Sequence, residues 1–79
     1  MNIEKEILEK IRSNDRTVQT ATLRHAVCLV LAKKGLSEPK IGQIINRNHS
    51  TVHYSKVKAT QLLEVNDPIM VGVFNRVNG

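Results

Sequence analysis

Residues 37–58 read SEPKIGQIINRNHSTVHYSKVK and contain two helical patterns separated by a short polar break. Ile41, Ile44 and Ile45 recur at the spacing of one helix face, and Ser37 is a good N-terminal cap for that helix. The polar residues around Asn48 interrupt the pattern before a second helix starts. This order predicts helix-turn-helix connectivity.

The second helix of the pair is predicted to run from His49 or Ser50 to Glu64. Its buried stripe is expected to consist of Val52, Ala59, Leu62 and Leu63. A different side of the same helix carries no acid and consists of Thr51, Tyr54 and Lys58. The pattern therefore predicts a helix with one buried side and one side open to an anionic partner.

Two more helices are predicted before this pair. A first, supporting helix over roughly residues 3–13 is indicated by apolar residues at helical spacing, namely Ile3, Ile7, Leu8 and Ile11. Residues 23–32 are apolar nearly all round, which is typical of a helix at the centre of a bundle. Thr20 or Thr22 is expected to cap this central helix, and Gly35 to follow its end.

A fifth helix is predicted after the pair, over residues 68–77, with Asp67 as its cap and Pro68 at its first position. Gly72 and the β-branched residues around it leave a strand open, although a lone strand would have no partner. The predicted architecture is a small all-α bundle of about five helices that forms one domain over residues 1–79. Its helix-turn-helix core spans about residues 20–64, and its C-terminal segment spans residues 67–77.

Composition agrees with one small folded domain and excludes several classes of protein. Hydrophobic residues make up 41% of the chain and aromatic residues only 3%, so the core must be aliphatic. The single cysteine, Cys28, cannot form an internal disulfide, which suits a reducing compartment. No apolar run approaches the roughly 18 residues of a membrane span, and no signal-peptide pattern follows Met1. We expect a cytoplasmic protein that does not enter a membrane.

The positive charge is concentrated in the middle of the chain. The formal net charge is +5, from 12 Lys and Arg against 7 Asp and Glu. Residues 16–63 hold eight of the basic residues against Glu38 alone, a net charge of +7, whereas the two flanking segments are each −1. This distribution favours a polyanionic partner, with a merely solvated basic face as the alternative.

The helix-turn-helix segment resembles the C-terminal DNA-binding domain, domain IV, of the bacterial replication initiator DnaA. The resemblance covers about residues 20–62 and rests on Ile41-Gly42, Arg47, His49-Ser50-Thr51-Val52, Ser55 and Lys58. Residues 23–33 also resemble the preceding helix of that domain. The fold implied is a helical bundle of the DnaA domain IV or Trp-repressor type, and the function implied is binding of double-stranded DNA.

The resemblance, together with the residue chemistry, predicts two kinds of DNA contact. Base contacts in the major groove are expected from Arg47, Asn48, His49, Ser50, Thr51 and Tyr54. Contacts to the DNA backbone are expected from Arg24, Lys56 and Lys58.

Several positions depart from the pattern of the family. Asn48 replaces a usual aspartate, His53 occupies a position that is normally apolar, and Thr22 stands where some members have an arginine. The turn before Arg47 is also one residue shorter than in many members. The target DNA sequence is therefore open.

The sequence does not indicate an enzyme. It has no Gly-x-x-x-x-Gly-Lys-Ser/Thr loop, and 79 residues are too few for an ATPase domain. It also lacks a nucleophile with a nearby base or a pair of carboxylates. We therefore expect no catalysis, cofactor or small-molecule substrate.

Several candidate contacts have a structural alternative. Asn48 or His49 is able to serve as a helix cap, and Tyr54 to pack rather than contact DNA. The pair His49 and His53 has a spacing that binds zinc, but no third ligand stands near it, so no metal site is expected. Cys28 is expected in the core, and Gly42 is expected to permit close approach of the fourth helix.

Two alternative roles fit the same sequence. One is a transcriptional regulator that dimerises through the first helix or the segment Ile69–Phe74. The other is a protein-interaction module, such as an adaptor or inhibitor of a replication or transcription partner, with no DNA binding of its own.

Overall fold

The computed structural model describes residues 3–78, which fold into five helices and contain no strand. The helices are α1 (Lys5–Arg12), α2 (Val18–Lys33), α3 (Glu38–Ile45), α4 (His49–Glu64) and α5 (Pro68–Asn78). The predicted all-α bundle is confirmed, and the strand considered around Gly72 is wrong because that residue lies inside α5. The predicted domain 1–79 also includes two initial residues and one final residue that lie outside the described part.

Helix α2 forms the centre of the bundle and contacts each of the other four helices. Nine of its residues are buried, including Val27, Val30 and Leu31, which are fully inaccessible to solvent. A helix that is apolar on nearly all sides is stable only when neighbours cover those sides. The prediction of a central second helix is confirmed.

The start of α2 differs from the prediction. Thr17, rather than Thr20 or Thr22, is the N-terminal cap, and its hydroxyl accepts a hydrogen bond from the Thr20 amide at 3.2 Å. Asp15 supports this turn because its carboxylate accepts bonds from the Thr17 amide at 2.9 Å and the Thr20 hydroxyl at 2.8 Å. Thr22 lies within the helix, where its hydroxyl donates to the carbonyl of Val18.

The other helix ends agree closely with the sequence signals. Gly35 follows α2 with a φ of +95°, which glycine adopts without strain. Ser37 caps α3 by accepting a bond from the Lys40 amide, and Asp67 caps α5 by accepting one from the Met70 amide. Helix α1 is slightly shorter than the predicted 3–13.

One aliphatic core joins the five helices. Each helix contributes at least one buried side chain, with Ile11, Leu31, Ile45, Val52 and Met70 all fully buried. On α4, the predicted stripe is buried at Val52 and Ala59 and half-buried at Leu62 and Leu63, and it also includes Ser55. Within residues 3–78, no helix has the length and apolar character needed to cross a membrane.

Candidate nucleic-acid interface

The turn between α3 and α4 consists of Asn46, Arg47 and Asn48. Asn46 ends α3 in the left-handed conformation, with a φ of 59°, which asparagine tolerates better than most residues. Asn48 caps α4, since its side-chain oxygen accepts a bond from the Thr51 amide at 2.9 Å. The two helices therefore have the predicted helix-turn-helix connectivity, and the capping interpretation of Asn48 is confirmed.

Gly42 allows this turn to lie against α3. A Cβ atom added at Gly42 would lie 2.5 Å from the carbonyl oxygen of Arg47, much closer than real Cβ atoms approach such a group. The amide of Arg47 donates to the carbonyl of Gly42 at 2.9 Å. Gly42 does permit a close approach, as predicted, but the approaching group is the turn and not helix α4 itself.

The first turn of α4 presents several polar side chains at the surface. Asn48, His49 and Ser50 are exposed, and Thr51 is half-buried. The start of a helix also has a partial positive charge, because its first amide groups have no partners within the helix. The structure therefore places four of the predicted base contacts together at a helix end suited to an anion.

Arg47, another of the predicted base contacts, is directed toward α1. Its Nη1 donates to the carbonyl of Asn46 and its Nη2 to the carbonyl of Ser13, both at 2.9 Å. Arg24 is held in the same way, with Nε and Nη2 donating to the carbonyl of Ile11 at 3.4 and 3.2 Å. Partial burial, followed by the charge of Arg47, lowers the pKa of Arg24.

The two arginines border a surface concavity of about 400 Å³. Its other lining residues are Asn14, Asp15, Arg16 and Ala21. Arg16 was not among the predicted contacts, because its position in a polar linker carries no helical pattern. The bonds from the Thr17 amide and the Thr20 hydroxyl lower the pKa of the Asp15 carboxyl. The concavity therefore combines three guanidinium groups with one carboxylate that already has local donors.

A second part of the candidate site lies further along α4. The Tyr54 side chain is 60% exposed, and its ring lies edge-on to that of His25, with centroids 5.9 Å apart. Tyr54 therefore both packs against His25 and remains accessible. The His25 ring also contacts α4 itself, because its Nδ1 lies 2.9 Å from the Ser55 hydroxyl. Burial, followed by the charges of Arg24 and Lys58, lowers the pKa of His25.

The opposite flank of α4 is occupied by an ion-paired group. Glu38 Oε2 lies 3.1 Å from Lys56 Nζ and 2.8 Å from His53 Nδ1. These two hydrogen bonds lower the pKa of Glu38. Lys56, a predicted backbone contact, thus has its charge balanced within the protein, whereas Lys58 makes no ion pair within residues 3–78.

The two histidines of α4 lie in different settings. His49 is exposed beside the turn, and His53 contacts Glu38. No group of three His, Cys, Asp or Glu residues suited to a metal ion occurs in the described range 3–78.

Cys28 lies in the core beneath Ser55. Its thiol is inaccessible, and burial raises its pKa to about 11. It is therefore protonated near neutral pH and unreactive in the folded protein.

Comparisons of the chain with protein-family models, with curated proteins and with solved structures found no match.

Proposed function

We propose that this protein binds double-stranded DNA through α3, the turn and α4, with α4 in the major groove, and serves replication or transcription control in the cytoplasm. The supporting observation is that Arg47 borders two adjoining concavities, one shared with Asn48 and His49 at the start of α4 and the other shared with Arg24. A basic, donor-rich helix N-terminus suits both the phosphates and the base edges of DNA.

The first turn of α4 supplies the proposed base contacts. His49 and Ser50 are exposed and project from the start of the helix. Asn48 uses its side-chain oxygen for capping, which leaves its amide NH₂ as a donor. Tyr54 extends this surface by about one and a half turns of helix. A helix that enters the groove N-terminus first would bring these residues to the bases.

Phosphate contacts are proposed for Arg24, for Lys58 and also for Arg47, which the sequence predicts as a base contact but which is directed toward α1. Arg24 and Arg47 each use only part of their five donors within the protein, so the remaining N–H groups are available to phosphate oxygens. Lys58 is half-buried and has no acidic neighbour in an ion pair within the described residues. Lys56 is the weakest of the proposed contacts because Glu38 already binds its ammonium group.

Fluorescence anisotropy with a random duplex and a DnaA-box duplex, at several salt concentrations, tests this proposal. We expect the binding constant to fall linearly with salt on logarithmic axes, with a slope of about 0.9 for each phosphate contacted. Tighter binding of the box duplex would support origin-type recognition, and equal binding would direct the search to another sequence.

The matched variants are Arg47→Ala with Thr51→Ala, against Lys33→Ala with Thr60→Ala as a control. Each pair removes one positive charge and one threonine hydroxyl, but Lys33 and Thr60 are exposed and lie outside the proposed site. The first pair should weaken binding at least tenfold more than the control pair. Equal effects of the two pairs would refute the proposed site.

A protein-interaction module is the second candidate, favoured by an apolar surface on α4. Val57 is 42% exposed and lies with Leu29 in a concavity of about 430 Å³ that also includes His53 and Gln61. Failure of the wild-type chain to bind either duplex at low salt would favour this role. Analytical ultracentrifugation would then distinguish a homodimer from a monomer that awaits another partner.

A further inference from the structure

The C-terminal ends of α1 and α3 lie close together beside the helix-turn-helix turn. The last carbonyl groups of a helix have no partners within it and carry a partial negative charge. Arg12, the last residue of α1, donates from Nε to the carbonyl of Ile44 in the last turn of α3, at 2.6 Å. This bond joins residues 32 positions apart in sequence.

Two more arginines, from other parts of the chain, bind carbonyls at the C-terminal end of α1. Arg47, from the turn, reaches the carbonyl of Ser13 just beyond α1, and Arg24, from α2, reaches the carbonyl of Ile11 in its last turn. We use the term arginine junction for Arg12, Arg24 and Arg47 together with the carbonyls that they bind. Each of the three arginines thus binds at least one carbonyl at or beside a helix C-terminus.

The arginine junction addresses an electrostatic problem specific to an anion-binding surface. Two helix C-termini beside the proposed phosphate contacts would repel a polyanion if their carbonyls were left unpaired. Bonds from charged donors neutralise these carbonyls and are stronger than those between neutral groups. The bonds also restrict the guanidinium group of Arg47, so less side-chain freedom would be lost when it binds a phosphate.

Helix α1 is held in place for this task by its apolar face. Ile7 and Leu8 are nearly inaccessible, and Ile11 is fully buried. The exposed side chain of Arg12 extends from this fixed helix to α3 and thereby links α1 to the helix that precedes the turn. Removal of Arg12 would release the Ile44 carbonyl, and the turn would then be held near α1 by the bond from Arg47 to Ser13 and by the packing of α1 on α3.

We propose that Arg12 is a positioning residue for DNA binding, which sets the turn and the guanidinium group of Arg47 without contacting DNA itself. The proposal rests on the DNA-binding function proposed above. It assigns an indirect part in the binding surface to α1, which lies in the flanking segment 1–15 of net charge −1. Arg47 is the residue through which the effect of Arg12 reaches the DNA.

The test is a double-mutant cycle with the full chain, duplex DNA and anisotropy detection. Arg12→Ala should weaken binding by roughly tenfold, the size expected for the loss of one charged hydrogen bond. Lys10→Ala is the matched control, since it removes the same charge from an exposed position of the same helix. It should change the affinity much less, and Arg12→Lys should recover part of the loss.

The decisive comparison is the effect of Arg12→Ala in a chain that already carries Arg47→Ala. If Arg12 acts through Arg47, its removal should then have little further effect. Circular dichroism at the assay temperature establishes that each variant is folded.

Three results would overturn the proposal. Additive losses, with a salt slope about 0.9 lower for Arg12→Ala than for Lys10→Ala, would make Arg12 a direct phosphate contact. Equal affinities of Arg12→Ala and Lys10→Ala would leave Arg12 with a structural role only. Failure of the wild-type chain to bind either duplex would overturn the underlying DNA-binding function as well, which separates that failure from the first two.

Discussion

Helices α2 and α4 have the same length of 16 residues but opposite relations to solvent. In α2 nine residues are buried, whereas in α4 only Val52, Ser55 and Ala59 are. Helix α4 buries small side chains along a narrow stripe, and its other residues are half-buried or exposed. The comparison shows that the two helices have different roles. Helix α2 supplies most of the contacts that hold the bundle together, whereas α4 supplies a polar surface and is attached to the bundle mainly through small side chains.

The largest expected effect tests this division through stability. Leu31→Ala in α2 removes a fully buried side chain and should lower the free energy of unfolding by about 3 kcal/mol. Val57→Ala in α4 removes a side chain that is 42% exposed and should change it by about 0.5 kcal/mol or less. Urea denaturation followed by circular dichroism measures both values. Similar losses for the two variants would contradict the assigned roles.

The second effect concerns the attachment of α4 through the turn. Gly42→Ala places a methyl group against the backbone oxygen of Arg47 and should destabilise the protein by about 1–3 kcal/mol. Gly72→Ala in α5 is the control, because a Cβ there meets no atom within 4 Å. It should stabilise the protein by about 0.5–1 kcal/mol through helix propensity. Thermal denaturation should show a lower melting temperature for Gly42→Ala and a higher one for Gly72→Ala. A higher melting temperature for both variants would show that the turn moves away from the added methyl group at little cost.

The third effect compares two lysines on different sides of α4. Lys58→Ala should lower the slope of DNA affinity against salt by about 0.9, the loss of one phosphate contact. Lys56→Ala should lower it less, because Glu38 binds the Lys56 ammonium group in the free protein. The measurement is anisotropy over a salt series with the same duplex. A larger change for Lys56 would mean that its ion pair opens on binding.

The smallest effect is a pH dependence at His25, where the two helices meet. Its pKa lies below the ordinary 6.5 in the folded protein, chiefly because of burial. Between 6.5 and the lower folded value, the unfolded chain binds a proton that the folded chain does not, so stability falls as the pH drops through this window. His25→Gln should reduce that loss. Urea denaturation at several pH values tests this, and parallel curves for both proteins would contradict it.

The order and character of the helices could be predicted because they depend on local patterns. Ser37, Asn48 and Asp67 sit before apolar periodic segments, and each caps its helix as such signals indicate. The sequence alone does not locate the start of α2, because Thr17, Thr20 and Thr22 are all competent caps. Burial of Thr20 and Thr22 in the bundle, which no local pattern records, decides between them.

The neighbours of the site residues could not be predicted, since they come from distant parts of the chain. Lys56 and Lys58 look equivalent in sequence, yet Glu38 of α3 pairs only with the first. Arg47 binds a carbonyl 34 residues away, and His25 meets Ser55 across 30 residues. These contacts depend on the relative placement of whole helices. The DnaA-like function and its base contacts stay predictions.

The buried thiol of Cys28 has a practical consequence for measuring motion in the bundle. It lies in α2 directly under α4, and alkylation requires both exposure of the sulfur and loss of its proton. When reclosing outpaces the chemical step, the labelling rate of this thiol reports the fraction of molecules in which the two helices have separated. Because the chain contains one cysteine, mass spectrometry of the alkylated protein would measure this labelling rate without an introduced probe. The effect of a bound ligand on that rate would then measure how strongly the ligand holds the two helices together.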